Sequence, residues 1–355
     1  MPAESASQPP YDDEPLVTIA IPTYNGRAHI RDAIASATAQ TYARVEILIV
    51  DDCSTDDTLN ISRTFASHRA NVILRAGSQN IGLAGNFNRC LRAGSGSWVK
   101  FLLQDDLLDQ RCVEDMVAAR RETCPLIICG RRYRYELAGD VRRAVYDNIL
   151  GLALTRRTNR LELWDPPTVL DQVFKDLGTN VFGEPVSWLV KRDAALAVGG
   201  FSLHLRAILD YEFSLRLALL SGIVVLPTEL CTFRVHPGQE SAKQMSSFDV
   251  ATLDPAILLT LLASDPAYES ARRAAVPGHT ATELRREAVR RIAHAWAYSR
   301  SLGEPATARW DEIFVESAFV RENVSQFDLC RAALRLRAGR IARRLHLDPD
   351  TVRPR

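Results

Sequence analysis

The sequence predicts an α/β fold, a mainly parallel, doubly wound sheet followed by a helical C-terminal extension. Three observations carry that expectation. Short β-branched runs alternate with stretches of helical period over the first hundred residues, the pattern of linked strand-helix-strand units. Beyond about residue 250 the pattern turns wholly helical. Three polar groups, TYN (23–25), DDCS (51–54) and QDD (104–106), each begin where a predicted strand stops. Ligands of doubly wound sheets gather at the carboxyl ends of the strands, so these groups are expected to share one rim.

The elements follow in order. "LVTIAIPTYN" (16–25) is an apolar run stopped by a proline and polar residues, and "VEILIVDDCS" (45–54) repeats the form, with "AHIRDAIASATAQ" between them at helical spacing. "STDDTLNISRTFASH" opens on Ser54 and acidic residues suited to a helix N-terminus, and "NVILRA" (71–76) supplies a third strand. "NIGLAGNFNRCLRAG" reads as a loop entering a helix, and "SWVKFLLQ" (97–104) as the next strand. "PLIICGRRYRYEL" (125–137) looks like a further strand, whereas "GLALTRRTNRLELWDPP" (151–167) has no clean period. "DYEFSLRLALLSG" is a helix closed by Gly222, and "IVVLPTELCTFRVH" is a strand. The last clear segments, "ATELRREAVRRIAHAWAYSRSLG" and "FDLCRAALRLRAGRIARRLHL", are helices. Residues 1–14 are expected to be a disordered lead-in, 15–248 the main domain and 249–355 a helical region.

Composition narrows the function. With 46% hydrophobic and 25% charged residues among 355, the chain can bury a real core, and its formal net charge of +1 predicts no bulk attraction to nucleic acid. Its seven cysteines are odd in number and form no CxxC pair, which argues against a disulfide framework or zinc knuckle and for a reducing compartment. The acidic start lacks the basic and apolar segments of a secretory signal, and no stretch has the roughly 18 apolar residues of a membrane span. The expected location is the cytoplasm.

The acidic residues carry the chemistry. Asp105 and Asp106 end an apolar run, "KFLLQDDLL", where two like charges cost folding energy unless something neutralises them. Hard carboxylate oxygens suit Mg²⁺ or Mn²⁺; a solvated loop start or a helix cap is the plainer alternative. Asp51 and Asp52 form a second such pair, able to accept the N3–H of a pyrimidine or ribose hydroxyls, or to cap the following helix. Tyr24 offers a face on which a base can stack. Asp210, at the start of a predicted helix, can act as a general base or cap that helix, and Glu212 competes with it for the chemistry. His236 directly follows a strand and can serve as a third metal ligand or a phosphate contact.

Together "VTIAIPTYNG", "EILIVDDCSTDDT", "NIGLAGNFNRCLRAGSGSWVKFLLQDD", "GEPVSWLVKRDAALAVGGF" and "LDYEFSLRLALLSGIVVLP" resemble the inverting, nucleotide-sugar-dependent glycosyltransferases of family 2, which have the GT-A fold. Five pieces in order over residues 16 to about 240 make the resemblance specific. It implies that Pro22, Thr23, Tyr24 and Asn25, with Asp51 and Asp52, hold base and ribose, and that Asn80, Gly82 and Asn86 line the nucleotide pocket. Asp105 and Asp106 match the family's metal and diphosphate motif, with Leu103 standing where a strict DxD would place the first aspartate. Asp210 matches the catalytic base, and Glu184, with Trp188, Tyr211 and Glu212, falls on the substrate side. The implied cofactors are Mg²⁺ or Mn²⁺ and a UDP- or dTDP-sugar; the implied acceptor is a hydroxyl of a glycan, a lipid-linked saccharide or a small glycoside.

Two other functions fit parts of the pattern. A nucleotidyltransferase would also bring metal-bound carboxylates to nucleotide phosphates, but "IPTYNGRAHI" is a poor match to its glycine-rich loop. A non-catalytic nucleotide-sugar scaffold would keep the fold alone. The tail "RAALRLRAGRIARRL" (331–345) has six arginines and no acid, so it can lie on the inner, anionic face of a membrane or pack its leucines internally.

Overall fold

The structure, a computed structural model, describes residues 14–136, 143–176, 180–239, 252–269, 281–315 and 317–344, together with Arg273. The expected lead-in, apart from Glu14, lies outside the described residues. The chain runs β1 (Val17–Thr23), α1 (Ile30–Thr38), β2 (Val45–Asp51), α2 (Thr58–His68), β3 (Val72–Ala76), α3 (Gly82–Ala93), β4 (Trp98–Phe101), β5 (Leu107–Leu108), α4 (Cys112–Ala119) and β6 (Leu126–Tyr135). It continues through α5 (Arg143–Leu152), β7 (Glu162–Trp164), α6 (Pro166–Lys175), β8 (Trp188–Lys191), α7 (Arg192–Ala197), α8 (Leu209–Ser221) and β9 (Ile223–Val235). Among the described residues five further α-helices follow: α9 (Asp254–Ser264), α10 (Ala281–Leu302), α11 (Ala306–Phe314), α12 (Ala318–Asn323) and α13 (Gln326–Arg344).

Two compact units divide the chain. The first comprises the chain up to Arg134, Glu184–Gly200 and Leu226–Arg234; the second comprises Tyr135–Gly183, Phe201–Val225 and the chain from Val235. In the first unit the strand order is β3-β2-β1-β4-β8-β6-β9-β5. The β3-β2-β1-β4 half is parallel, as the alternation of strands and helices requires, and β8 then runs antiparallel to both β4 and β6. Every residue of β1 is buried, which is why that run is mostly apolar instead of alternating, with the Thr18 hydroxyl donating to Glu46 at 2.5 Å.

Two boundaries differ from the sequence reading. Helix α2 begins at Thr58, because Ser54 turns back onto Asp51 and the segment before the helix is spent on loop hydrogen bonds. Strand β4 stops at Phe101: Leu102 still donates to the Ala20 carbonyl, but the chain then leaves the ladder and Gln104 turns its amide toward Tyr24.

In the second unit β7 pairs antiparallel with the Ile223–Val225 end of β9, and α13 packs on α10. Pro166 and the Asp165 side chain, which accepts from Thr168 N at 2.9 Å, start α6. No helix among the described residues is long and apolar enough to cross a membrane. Helix α8 ends at Gly222, whose φ of 90° lies in the region glycine favours and whose missing Cβ leaves room for the Trp164 carbonyl. Gly222→Ala is expected to cost roughly 2–4 kcal/mol, because backbone would have to move to admit the methyl group. Chemical denaturation of that variant beside Leu220→Ala, at an exposed position, checks this: the glycine variant should lose clearly more stability.

Candidate functional site

Parallel register builds the rim in the first unit. Thr23 lies opposite Asp51, so the loops that follow β1 and β2 leave the sheet side by side. Gln104 joins the third loop to them: its Oε1 accepts from Thr23 Oγ1 at 2.6 Å and Tyr24 N at 2.9 Å, and its Nε2 donates to Tyr24 O at 3.1 Å. A Cβ at Gly26 would collide with that amide. TYN, DDCS and QDD therefore converge as their positions at strand ends foretold.

The first two loops are knitted together. Asn25 N donates to Ser54 Oγ at 2.9 Å, and Asn25 Oδ1 accepts from Thr55 N at 2.8 Å. Asn25 (φ 50°) and Cys53 (φ 66°) are the non-glycine residues with positive φ among those described, one in each loop. Asparagine tolerates that conformation; cysteine pays for it in strain, which is stored where surrounding contacts over-determine the backbone. Tyr24 is 44% exposed and so has a ring face open to a ligand, whereas Pro22 and Thr23 are buried beneath it.

Each carboxylate has a different partner. Asp51 accepts from Ser54 N at 2.9 Å and Ser54 Oγ at 2.5 Å. Asp52 does not cap α2; it reaches Ile81 N and Gly82 N at 3.0 Å each, with the Arg89 guanidinium at 3.4 Å. Those amides open α3, where the helix dipole favours negative charge. Asp52 is thereby the clasp that fixes the Asn80–Gly82 turn to the end of β2. Asn80 and Gly82 are exposed, and Asn80 Oδ1 accepts from Gly82 N at 3.0 Å. Asn86, expected in the nucleotide pocket, is instead buried and donates to the Val50 carbonyl at 2.9 Å, bracing α3 against β2.

Asp106 is the exception. It is fully buried, its Oδ1 accepts from Arg234 N at 3.0 Å, and its Oδ2 has no hydrogen-bond partner among the described residues. Burial first, then the neighbouring Asp105 carboxylate, holds its pKa well above the usual carboxylate range. A buried carboxylate oxygen without a partner is costly, and two adjacent carboxylates offer hard oxygens to a divalent cation, so the donor set fits Mg²⁺ or Mn²⁺. Asp105 is half-buried.

Glu184 closes the first unit's set. Its Oε1 accepts from Tyr133 OH at 2.9 Å, and its Oε2 pairs with Arg131, which in turn donates to Tyr133 OH at 3.1 Å. Arg131 is 1% exposed, so this ion pair is held in a low-dielectric setting where removal of either partner is costly. Trp188 has no exposed surface; it packs in the core at the start of β8, not on a substrate.

In the second unit Asp210 sits in the first turn of α8, half-buried. In the segment leading into the helix, the Oδ2 of Asp254, buried in α9, accepts from Arg206 N at 3.1 Å, Ala207 N at 2.6 Å and Ile208 N at 3.1 Å. Asp210 Oδ2 accepts from Asn180 Nδ2 at 2.9 Å, and its Oδ1 from Tyr211 N at 2.8 Å. Two expected substrate contacts are corrected. Tyr211 is 1% exposed, its ring tilted against Phe182. Glu212 is 2% exposed and is gripped by Arg216 at 2.5 and 2.8 Å and by Tyr268 OH at 2.5 Å, so it is structural and not a rival to Asp210. His236 lies with a ring nitrogen within 4.8 Å of the exposed Glu136 carboxylate.

Sequence reading missed Gln104 as a clasp, Arg131 and Tyr133 beside Glu184, and Asn180 and Asp254 around Asp210. Only Gln104 carried a signal, its place in QDD; the others act across tens of residues with no local spacing to betray them.

Residues 18–195 match the family described as Glycosyl transferase family 2. The chain is 30% identical over 263 residues to the uncharacterised Mycobacterium tuberculosis protein MT1568, covering 74% of this chain and 80% of that protein. It is 31% identical over 145 residues to the glycosyltransferase GlyA of Streptococcus pneumoniae, a match over 38% of this chain that spans 20% of that protein. In fold it is similar to Staphylococcus aureus TarS 1-349 in complex with UDP-GlcNAc, at TM-score 0.58 and 17% identity over 95% of this chain and 89% of that one. It is also similar to the Pyrobaculum calidifontis mannosyltransferase PcManGT in complex with GDP-Man and Mn²⁺, at TM-score 0.52 and 19% identity over 94% and 90%.

Asp52→Ala is expected to free the amides of Ile81 and Gly82 and to cost about 2–3 kcal/mol, the scale of lost charge-assisted hydrogen bonds. Hydrogen exchange resolved to the 80–83 turn reads it: exchange should quicken there while the β1 amides stay protected.

Proposed function

Because this chain belongs to glycosyltransferase family 2 and is a glycosyltransferase, we propose that it transfers a sugar from a nucleoside-diphosphate sugar to an acceptor hydroxyl with inversion at the anomeric carbon. The observation that carries this reading is Asp106, a buried carboxylate with an unsatisfied oxygen beside Asp105 and next to the knitted rim. Asp105 and Asp106 would hold Mg²⁺ or Mn²⁺. When bound, that ion would neutralise charge on the departing diphosphate, an electrostatic stabilisation of the transition state.

The chain's own groups do the rest. The exposed Tyr24 ring stacks on the base, and the Asn80–Gly82 turn, clasped by Asp52, borders the nucleotide. Glu184, kept in place by Arg131 and Tyr133, contacts the sugar or acceptor. Asp210, whose Oδ2 accepts from Asn180, takes the proton of the acceptor hydroxyl; that oxygen forms the new bond to the anomeric carbon as the bond to the diphosphate oxygen breaks on the opposite face. The donor is a UDP- or dTDP-sugar, and the acceptor a glycan, lipid-linked saccharide or small glycoside. The family match leaves the nucleotidyltransferase alternative without support.

A membrane-facing role for α13 fits this substrate class. Phe327 and Leu334 are 72% and 61% exposed, and Arg331, Arg335 and Arg337 are exposed on the same helix. Apolar anchors among arginines suit an anionic lipid surface on which a lipid-linked acceptor resides. Flotation with vesicles containing anionic lipid should carry the intact chain and lose the Phe327→Ser, Leu334→Ser variant; equal flotation of both removes this role.

The donor reading is tested by slow hydrolysis of UDP-, dTDP- and GDP-sugars with Mg²⁺ or Mn²⁺, which requires no acceptor. A UDP- or dTDP-sugar should be hydrolysed only with metal, Asp106→Ala should abolish the reaction, and Asp210→Asn should lower turnover by about 10²-fold or more while sparing donor binding. Near wild-type turnover in either variant removes the corresponding assignment.

A further inference from the structure

Asn180 lies in a stretch with no motif, yet its side chain is fully committed. Its Nδ2 donates to Asp210 Oδ2 at 2.9 Å and to the Gly183 carbonyl at 3.1 Å, and its Oδ1 accepts from Phe182 N at 3.2 Å. Two acceptors on one end and a backbone donor on the other fix the amide in a single orientation, since a flip would break all three contacts. The residue therefore joins the 180–183 turn to the carboxylate at the head of α8. The backbone on the other side of that carboxylate is set separately, by the three amides that Asp254 collects.

We propose that Asn180 is the positioning residue of Asp210, aiming its Oδ2 and stabilising its ionised, proton-accepting form. The proposal rests on the reading of Asp210 as the base. A neutral donor on the carboxylate suits this task, because a charged partner would hold the carboxylate too tightly to accept a proton, and an acidic partner would compete for that proton.

The chemistry separates this role from that of a turn brace. Asn180→Asp keeps the oxygen that accepts from Phe182 N, so a turn brace would tolerate it better than Asn180→Ala. A positioning residue would not: aspartate removes the donor and sets a second negative charge against Asp210, whereas alanine removes the donor only.

The experiment measures metal-dependent hydrolysis of the UDP- or dTDP-sugar that the wild-type chain hydrolyses fastest, with calorimetry of the same donor, for Asn180→Ala, Asn180→Asp and Asp210→Asn. The expected result is a kcat lowered roughly 10- to 100-fold in Asn180→Ala, the scale of one charge-assisted hydrogen bond, and lowered further in Asn180→Asp, with donor affinity unchanged in both. If Asp210→Asn is inactive but Asn180→Asp is as fast as Asn180→Ala or faster, the positioning role is wrong and the base assignment stands. If Asp210→Asn keeps near wild-type turnover, both fall. Loss of donor affinity in step with kcat in both Asn180 variants also overturns the proposal, since it marks a collapsed turn.

Discussion

A carboxylate carried to the end of a buried sheet has to be given a partner, and the site in the first unit follows from how each one is supplied. In a low-dielectric setting an unpaired anion is far costlier than in water, so the rim acids recruit donors or positive charge. Asp51 turns Ser54 back onto itself, Asp52 collects the amides that open α3, and Glu184 takes Arg131 and Tyr133. These choices set the loops: the Asn80–Gly82 turn stands where it does because Asp52 holds it. Asp106 Oδ2 has no hydrogen-bond partner among the described residues, whereas Glu184 Oε2, also without a hydrogen bond, is ion-paired with Arg131; burial with Asp105 at its side raises the Asp106 pKa. In the proposed reaction, positive charge would sit beside that residue.

The second unit handles its acids by a related division of labour. Helix α8 starts at Ile208 without a capping side chain, and Asp254 from a later helix collects the three amides of residues 206–208 that lead into it. Asp210 accepts from the neutral Asn180 amide and from the Tyr211 N–H. Glu212, two residues on, meets the opposite fate: a bidentate arginine and a tyrosine fix it as part of the packing. Neighbouring acids of one helix thus differ in role because of what the rest of the unit brings to them.

Much of the fold could be read from the sequence because buried parallel strands are written as mostly apolar, β-branched runs, as in Val17–Thr23 and Val45–Asp51, with polar groups at the strand ends where ligands of such sheets gather. The convergence of TYN, DDCS and QDD was legible for that reason. The antiparallel half of the sheet was less so, since β8 and the long β9 have no period that reveals direction. Side-chain partners were legible least. Trp188 and Tyr211 look alike as core or as site residues in a linear string, and only packing assigns them to the core. Asn86, read as a pocket residue, proves to be a brace on β2. Asp52 bonds residues about thirty positions away, and Asp254 acts over more than forty, distances at which no local pattern encodes a contact.

The central claim is that Asp105 and Asp106 hold a divalent ion together with the nucleotide. Electron paramagnetic resonance of Mn²⁺ titrated into the protein, with and without UDP, tests it most directly. Mn²⁺ should bind, bind more tightly when UDP is added, and be lost in Asp106→Asn, with the variant still folded. Mn²⁺ bound equally well by wild type and Asp106→Asn, or not bound by wild type even with UDP present, would contradict it.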